Sequence, residues 1–179
     1  MSSSSKTIIF GLNSFKMIKK ELKIAFTEYE SDQELNSEEQ ELLKKAREAS
    51  KFAYAPYSNF YVGAALLLEN GVIVTGNNQE NVAYPSGLCA ERVAIYSAGA
   101  QYPNVAIKTI AITCNSKSFK VDKPLSPCGA CRQAMSEYEV RHKSNIRTIL
   151  AGEIGKIQVM DSIADLLPFM FKAEELKKA

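Results

Sequence analysis

The sequence predicts an α/β protein built on a mixed sheet with helices on both faces. Three observations carry this. Residues 61–68 form a run apolar enough to be a strand buried on both faces. Asn70-Gly71 is a hairpin signal, and residues 72–75 supply the return strand. After that hairpin, helical and strand patterns alternate along the chain, the arrangement that lays helices over a sheet.

In chain order, residues 1–16 open with a serine run and carry one short apolar patch, Ile8-Ile9-Phe10, without the features of a secretory signal. Between residues 20 and 30 apolar side chains alternate at Leu22, Ile24 and Phe26, which predicts a half-buried edge strand. A polar linker, 31–36, follows. Ser37-Glu38-Glu39-Gln40 reads as a capping box with Ser37 as the cap. Leu42, Leu43, Ala46, Ala49 and Ala53 continue it as the apolar stripe of a helix. Pro56 requires that helix to stop near Ala55.

The hairpin exits through Gly76 and a polar loop to Asn81, and a second helix is expected over about 89–98. Residues 107–113 read as a buried strand and 115–126 as a loop. A third helix opens at Pro127, a residue favoured at a first helical position, and runs to about His142. Residues 147–150 and 156–159 are two short strands around a turn at 152–155. Asp161 or Ser162 caps a last short helix, which Pro168 stops.

The chain has 179 residues, enough for one domain that buries a core without disulfide staples. Its 22 basic and 20 acidic residues are scattered in both signs, so no surface for nucleic acid or membrane is indicated. The apolar runs are too short to span a bilayer. Four cysteines, three of them in metal-like spacing, fit a reducing compartment better than a disulfide framework.

Chemistry concentrates in Cys89-Ala90-Glu91-Arg92 and in Pro127-Cys128-Gly129-Ala130-Cys131-Arg132. Cys89, Cys128 and Cys131 offer three soft ligands and leave a fourth position open, which suits a zinc ion that activates water. Both pieces fall at expected helix N-termini, where unpaired N–H groups and the helix dipole favour thiolate. Glu91, beside a ligand, reads as the catalytic proton carrier. Arg92 reads either as a donor to thiolate sulfur that relieves the negative charge of such a site or as a surface arginine on the helix. Cys114 leaves open a closed structural site of four cysteines, although it ends an apolar strand and reads as a buried free thiol. His142, at a helix end, reads as solvated and without chemistry.

These residues resemble the cytidine deaminase family in its small homotetrameric form, over about residues 37–176. The zinc motif is joined, in order, by Pro56-Tyr57-Ser58-Asn59-Phe60-Tyr61-Val62-Gly63-Ala64-Ala65-Leu66, by Gly76-Asn77-Asn78-Gln79-Glu80-Asn81-Val82-Ala83-Tyr84-Pro85 and by Leu166-Leu167-Pro168-Phe169-Met170-Phe171. The resemblance implies a three-layer α/β/α cytidine deaminase-like fold with a mixed sheet of about five strands. It makes residues 37–179 the catalytic domain; 1–36 match nothing in the family and form an N-terminal extension that leaves open an added edge strand or an extra interface.

It also implies one Zn²⁺ per chain and hydrolytic deamination of cytidine and 2′-deoxycytidine, releasing ammonia in pyrimidine salvage. Phe60 would pack beside the pyrimidine, Asn78 and Glu80 would bind the ribose 3′-hydroxyl, and Ala90 would offer its backbone N–H to the ring edge. Tyr84 and Phe171 would close a neighbouring subunit's pocket. The partners expected are a small-molecule nucleoside and three further copies in a homotetramer, with no nucleic acid and no membrane, in the cytoplasm. A related deaminase acting on another amino-pyrimidine, such as blasticidin S, would share the zinc motif. Asn78, Glu80 and Phe60 favour the nucleoside. A non-enzymatic zinc scaffold would instead need Cys114 as a fourth ligand.

Overall fold

A computed structural model describes residues 17–172 and 176; the Ile8-Ile9-Phe10 patch lies outside the described residues. The strands are β1 (Thr27–Tyr29), β2 (Phe60–Leu68), β3 (Ile73–Asn77), β4 (Ile107–Ser116), β5 (Arg147–Ala151) and β6 (Ile157–Met160). The helices are α1 (Ser37–Ser50), α2 (Ala90–Gln101) and α3 (Gly129–His142). The strands form one six-stranded sheet in the order β1-β6-β5-β4-β2-β3. Only β4 and β5 run parallel; the other neighbours are antiparallel. Mixed α/β architecture is therefore as expected. The count exceeds five because β1, from the segment ahead of α1, adds the outer strand.

β2 shows why the sheet is covered twice. Alternate side chains of a strand face opposite ways. Ala64, Leu66 and Leu68 join one buried cluster, with Ala94 and Ile95 of α2 and Met135 of α3. Ala65 and Leu67 join the other, with Leu42, Leu43 and Ala46 of α1. Each fully buried leucine contributes about 1.5–3 kcal/mol relative to an exposed one. The hairpin closes through Gly71, whose φ of +82° falls in the left-handed region that glycine adopts freely.

Several boundaries differ from expectation, each for a physical reason. The edge strand is Thr27–Tyr29, not 20–30. Its partner β6 pairs Thr27 with Val159 and ends at Met160, so the preceding residues have no strand to bond. Leu22, Ile24 and Phe26 are consequently 60%, 47% and 54% exposed rather than half-buried. The capping box sits one residue earlier: Asn36 Oδ1 accepts from Glu39 N–H at 2.9 Å, and Asn36 N–H donates to Glu39 Oε2 at 3.3 Å. Gln40 instead donates to the Leu35 carbonyl at 2.7 Å.

α1 ends at Ser50, not near Ala55, because Tyr54 leaves to bridge Gln79. Its N–H donates to the Asn78 carbonyl at 3.0 Å, and its carbonyl accepts from Glu80 N–H at 2.8 Å. Pro127 lies outside α3, whose cap is Cys128. β4 runs on to Ser116, and its last residues pair with Phe60 and Tyr61. Ser162 caps a final 3-10 turn, Ile163–Asp165. His142 is half-buried beside the Tyr138 ring, with centroids 6.4 Å apart. Burial, then Arg141, holds it below the usual histidine range.

Candidate active site

Where β2 begins and β3 and β4 end, the starts of α2 and α3 meet. Cys89 takes the cap position of α2 with extended backbone (φ −72°, ψ 153°), and Cys128 takes that of α3 (φ −68°, ψ 165°). Neither side chain is spent on capping. Both sulfurs are therefore free to act beside first-turn N–H groups that no helical carbonyl accepts. Cys131, one turn into α3, is fully buried.

The Cys128 and Cys131 sulfurs lie 3.5 Å apart, and those of Cys89 and Cys128 4.0 Å. All three are within 4.8 Å of one another, the only group of three or more potential ligands among the described residues. A tetrahedral zinc with Zn–S bonds of about 2.3 Å needs sulfurs roughly 3.8 Å apart, so this soft donor set fits the ion. Cys114 is not part of the group. Buried in β4, its thiol is pushed up to about 11 by desolvation, with Glu153 adding. It is a neutral core thiol, and a site closed by four cysteines is not formed.

The Cys89 thiol is lowered to about 5. Its contact with Cys131 contributes most, burial opposes, and Arg92 and Cys128 add to the lowering. Cys131 shifts upward through the same contact with Cys89 and through burial. Arg92 Nη2 donates to Cys89 Sγ at 3.8 Å. The Arg92 Nε is buried without a partner. Glu91, in the first turn of α2, is 4% exposed, and burial pushes its carboxyl above the usual carboxylate range.

Cys89, Cys128 and Glu91 line a cleft of about 840 Å³. Phe60, Val62, Asn78, Glu80, Tyr84, Arg92, Leu125 and Ser126 are among its other lining residues. Asn78 is anchored across the β2 start: its Oδ1 accepts from Val62 N–H at 2.7 Å and its Nδ2 donates to the Phe60 carbonyl at 2.9 Å. That leaves a second Nδ2 hydrogen and a second Oδ1 lone pair. Glu80 accepts from the Ser58 hydroxyl, from Tyr57 N–H at 2.9 Å and from Ser58 N–H at 3.3 Å. Burial raises its carboxyl, but these donors prevail and hold it below the usual range.

Tyr84 stands at the rim, 79% exposed, with its ring edge-on to Tyr57 at 6.4 Å. Ala90 is fully buried and is not among the residues lining the cleft; its backbone N–H lies in the first turn of α2, where no helical carbonyl accepts it. Phe171 is 72% exposed and is not among the residues lining this chain's own cleft.

Three features escaped the sequence reading. Phe119, in the loop after β4, stacks on Phe60 with ring centroids 6.2 Å apart and planes 23° apart. Ser58 and Tyr57 anchor Glu80. Arg132 and Gln133, immediately after the third cysteine, bond to the C-terminal segment. Ser58 stood inside a recognised motif, but Phe119 carried no periodic or motif signal.

Comparison with known proteins agrees with this geometry. Residues 36–144 match the family described as the cytidine and deoxycytidylate deaminase zinc-binding region. A cytidine deaminase of Halalkalibacterium halodurans is 38% identical over 137 residues, 76% of this chain and 96% of the relative. That of Sporosarcina psychrophila is 38% identical over 140 residues, 78% and 96% of the two chains. The crystal structure of the cytidine deaminase from Burkholderia pseudomallei superposes with a TM-score of 0.64 at 39% identity, covering 73% of this chain and 97% of that one.

Proposed function

This chain belongs to the cytidine and deoxycytidylate deaminase family, and on that premise we propose that its cleft hydrolyses cytidine and 2′-deoxycytidine to uridine and 2′-deoxyuridine with release of ammonia. It is a zinc-dependent hydrolytic deaminase. One observation carries the reading to these residues: three cysteine sulfurs within 4.8 Å of one another, at two helix starts, beside a buried glutamate in the same cleft.

Cys89, Cys128 and Cys131 hold the zinc, which when bound supplies the Lewis acidity that makes water nucleophilic near neutral pH. Glu91 does the proton work. Its carboxylate takes a proton from the attacking water and passes it to the ring N3, then takes the proton of the hydroxyl now on C4 and delivers it to the amine as the C4–N bond breaks. The partial desolvation that raises its carboxyl suits a group that must hold a proton between these transfers. Arg92, donating to Cys89 Sγ, offsets part of the thiolate charge.

Phe60 flanks the pyrimidine. Asn78, with its spare Nδ2 hydrogen, and Glu80, with its remaining acceptor capacity, hold the ribose 3′-hydroxyl as donor and acceptor. The Ala90 N–H, at the unbonded start of α2, faces the ring edge. Tyr84 and Phe171 close the cleft of a neighbouring copy in a homotetramer. Their exposure in a single chain supports that assignment. Residues 37–179 are the catalytic unit and 1–36 an extension. Among the described residues no helix is long and apolar enough to cross a membrane. The proposal places this activity in pyrimidine salvage in the cytoplasm, a reading supported by the nucleoside substrate and by cysteines spaced for a metal rather than for disulfides.

Zinc-loaded protein supplied with cytidine is expected to yield uridine and ammonia in equal amounts, with light scattering giving four chains per particle. Failure to convert either nucleoside would overturn the substrate assignment. A monomer active at full rate would overturn the role of Phe171.

A further inference from the structure

The three cysteines are not held equally. Cys131 is fully buried, and packing fixes it. Cys128 is exposed, so its sulfur is placed mainly by the two peptide planes that flank it. The plane after it is held by the helix, whose first bond runs from the residue 132 N–H to the Cys128 carbonyl at 3.0 Å whatever the side chain; the plane before it is held by the Arg132 side chain, whose Nε donates to the Pro127 carbonyl at 2.8 Å. The other arm of the guanidinium, Nη1, donates at 2.8 Å to the carbonyl of Leu166, a core residue where the C-terminal segment departs. The next side chain, Gln133, bonds the same segment further on. Its Nε2 donates to the Phe171 carbonyl at 3.1 Å, and its Oε1 accepts from Phe171 N–H at 3.0 Å.

We propose that Arg132 is a positioning residue that fixes Cys128 for the metal and ties the ligand turn to the C-terminal segment. The proposal rests on reading Cys89, Cys128 and Cys131 as the zinc ligands. A guanidinium presents its donors in a rigid fork, so one side chain spans two carbonyls that belong to different segments. A lysine at this position is a single point charge on a flexible stem and can satisfy one of them at a time. Residues that orient metal ligands without touching the metal typically change metal affinity by roughly 10- to 100-fold when replaced. Gln133 separates the two halves of the proposal. It holds the C-terminal segment but makes no bond to the peptides beside Cys128.

The test is competition for zinc against a chromophoric chelator, with parent, Arg132→Lys, Arg132→Gln, Gln133→Ala and Cys128→Ser proteins. Turnover per bound zinc and KM for cytidine are measured on the loaded proteins. Arg132→Gln should lose zinc affinity by roughly 10- to 100-fold. Arg132→Lys, which keeps charge and stem if the glutamine variant does not fold, should fall between it and the parent. Gln133→Ala should keep zinc affinity within about twofold of the parent while raising KM through the loosened Phe171 segment. Parental zinc affinity in both Arg132 variants would overturn the proposal, as would an equal loss in Gln133→Ala. Parental zinc affinity in Cys128→Ser would instead overturn the ligand assignment on which it rests.

Discussion

At the residue scale, the site gathers groups whose charges matter more than their packing. Glu91 keeps a carboxyl in a place that penalises ionisation, and Cys89, two residues before it, is lowered to about 5. The cysteine spacing made the donor set legible in the sequence, because a ligand pair at i and i+3 must share a helix face. The apolar strand that Cys114 ends already marked it as a buried free thiol, and the fold agrees by burying it in β4 outside the cysteine group. Cys114→Ser should therefore retain a full equivalent of zinc by metal analysis; loss of the metal would restore the four-cysteine reading.

The anchoring of Glu80 was not legible either, since its donors Tyr57 and Ser58 lie 23 and 22 residues away in sequence. Its carboxyl is lower in the folded chain than in the unfolded one. The stabilisation is thus complete above the ordinary carboxylate range and is lost as pH falls through the lowered value. Thermal melts of parent and Glu80→Gln should differ by a constant amount near neutrality and converge in acid. A gap that widens on acidification would contradict the assignment.

At the element scale, the helices are seated by two glycines in neighbouring strands. A Cβ at Gly63 would come within 2.0 Å of the Ala46 carbonyl oxygen in α1. A Cβ at Gly76 would come within 2.5 Å of Ala94 N and 2.6 Å of the Ala90 carbonyl oxygen in α2. Either alanine forces a helix off the sheet at a cost of about 1–3 kcal/mol or more. The consequences should part company, because α1 carries no metal ligand, whereas the first turn of α2 carries Glu91 and follows Cys89. Gly63→Ala should lower the melting temperature by several degrees with kcat per bound zinc near parental. Gly76→Ala should lower both. Equal activity per zinc in the two variants would show that the seating of α2 does not govern the site.

Sequence periodicity gave α1, α2 and α3 their existence and type, but not their ends. Asn36 and Ser37 both carry capping oxygens, and only the bond from Glu39 N–H distinguishes them. Tyr54 falls inside the helical pattern that Pro56 stops, and nothing local announces its bridge to Gln79.

At the scale of the whole molecule, the strand order joins segments far apart in sequence. β1 pairs with β6 across more than a hundred residues, and the parallel contact of β4 with β5 requires α3 as the crossover. The mixed sheet was foreseeable from alternating patterns, but this order was not, because periodicity records which face is buried and not which neighbour is bonded. The same limit explains the 20–30 segment, whose alternation was real while its partner strand ended at Met160.

The whole chain also leaves aromatic groups outward at Tyr84, Phe169 and Phe171. In a tetramer that completes its clefts between copies, Phe171→Ala should raise KM for cytidine well before it lowers zinc content. Unchanged KM would place the aromatic outside the working cleft. The central claim is that this zinc site deaminates a nucleoside with Glu91 carrying the proton. Its most direct test follows cytidine absorbance with parent and Glu91→Gln proteins, each verified to hold one zinc per chain. The parent should consume cytidine rapidly and the variant should be slower by roughly 10²- to 10⁴-fold. Equal rates in two fully loaded proteins would contradict the role of Glu91.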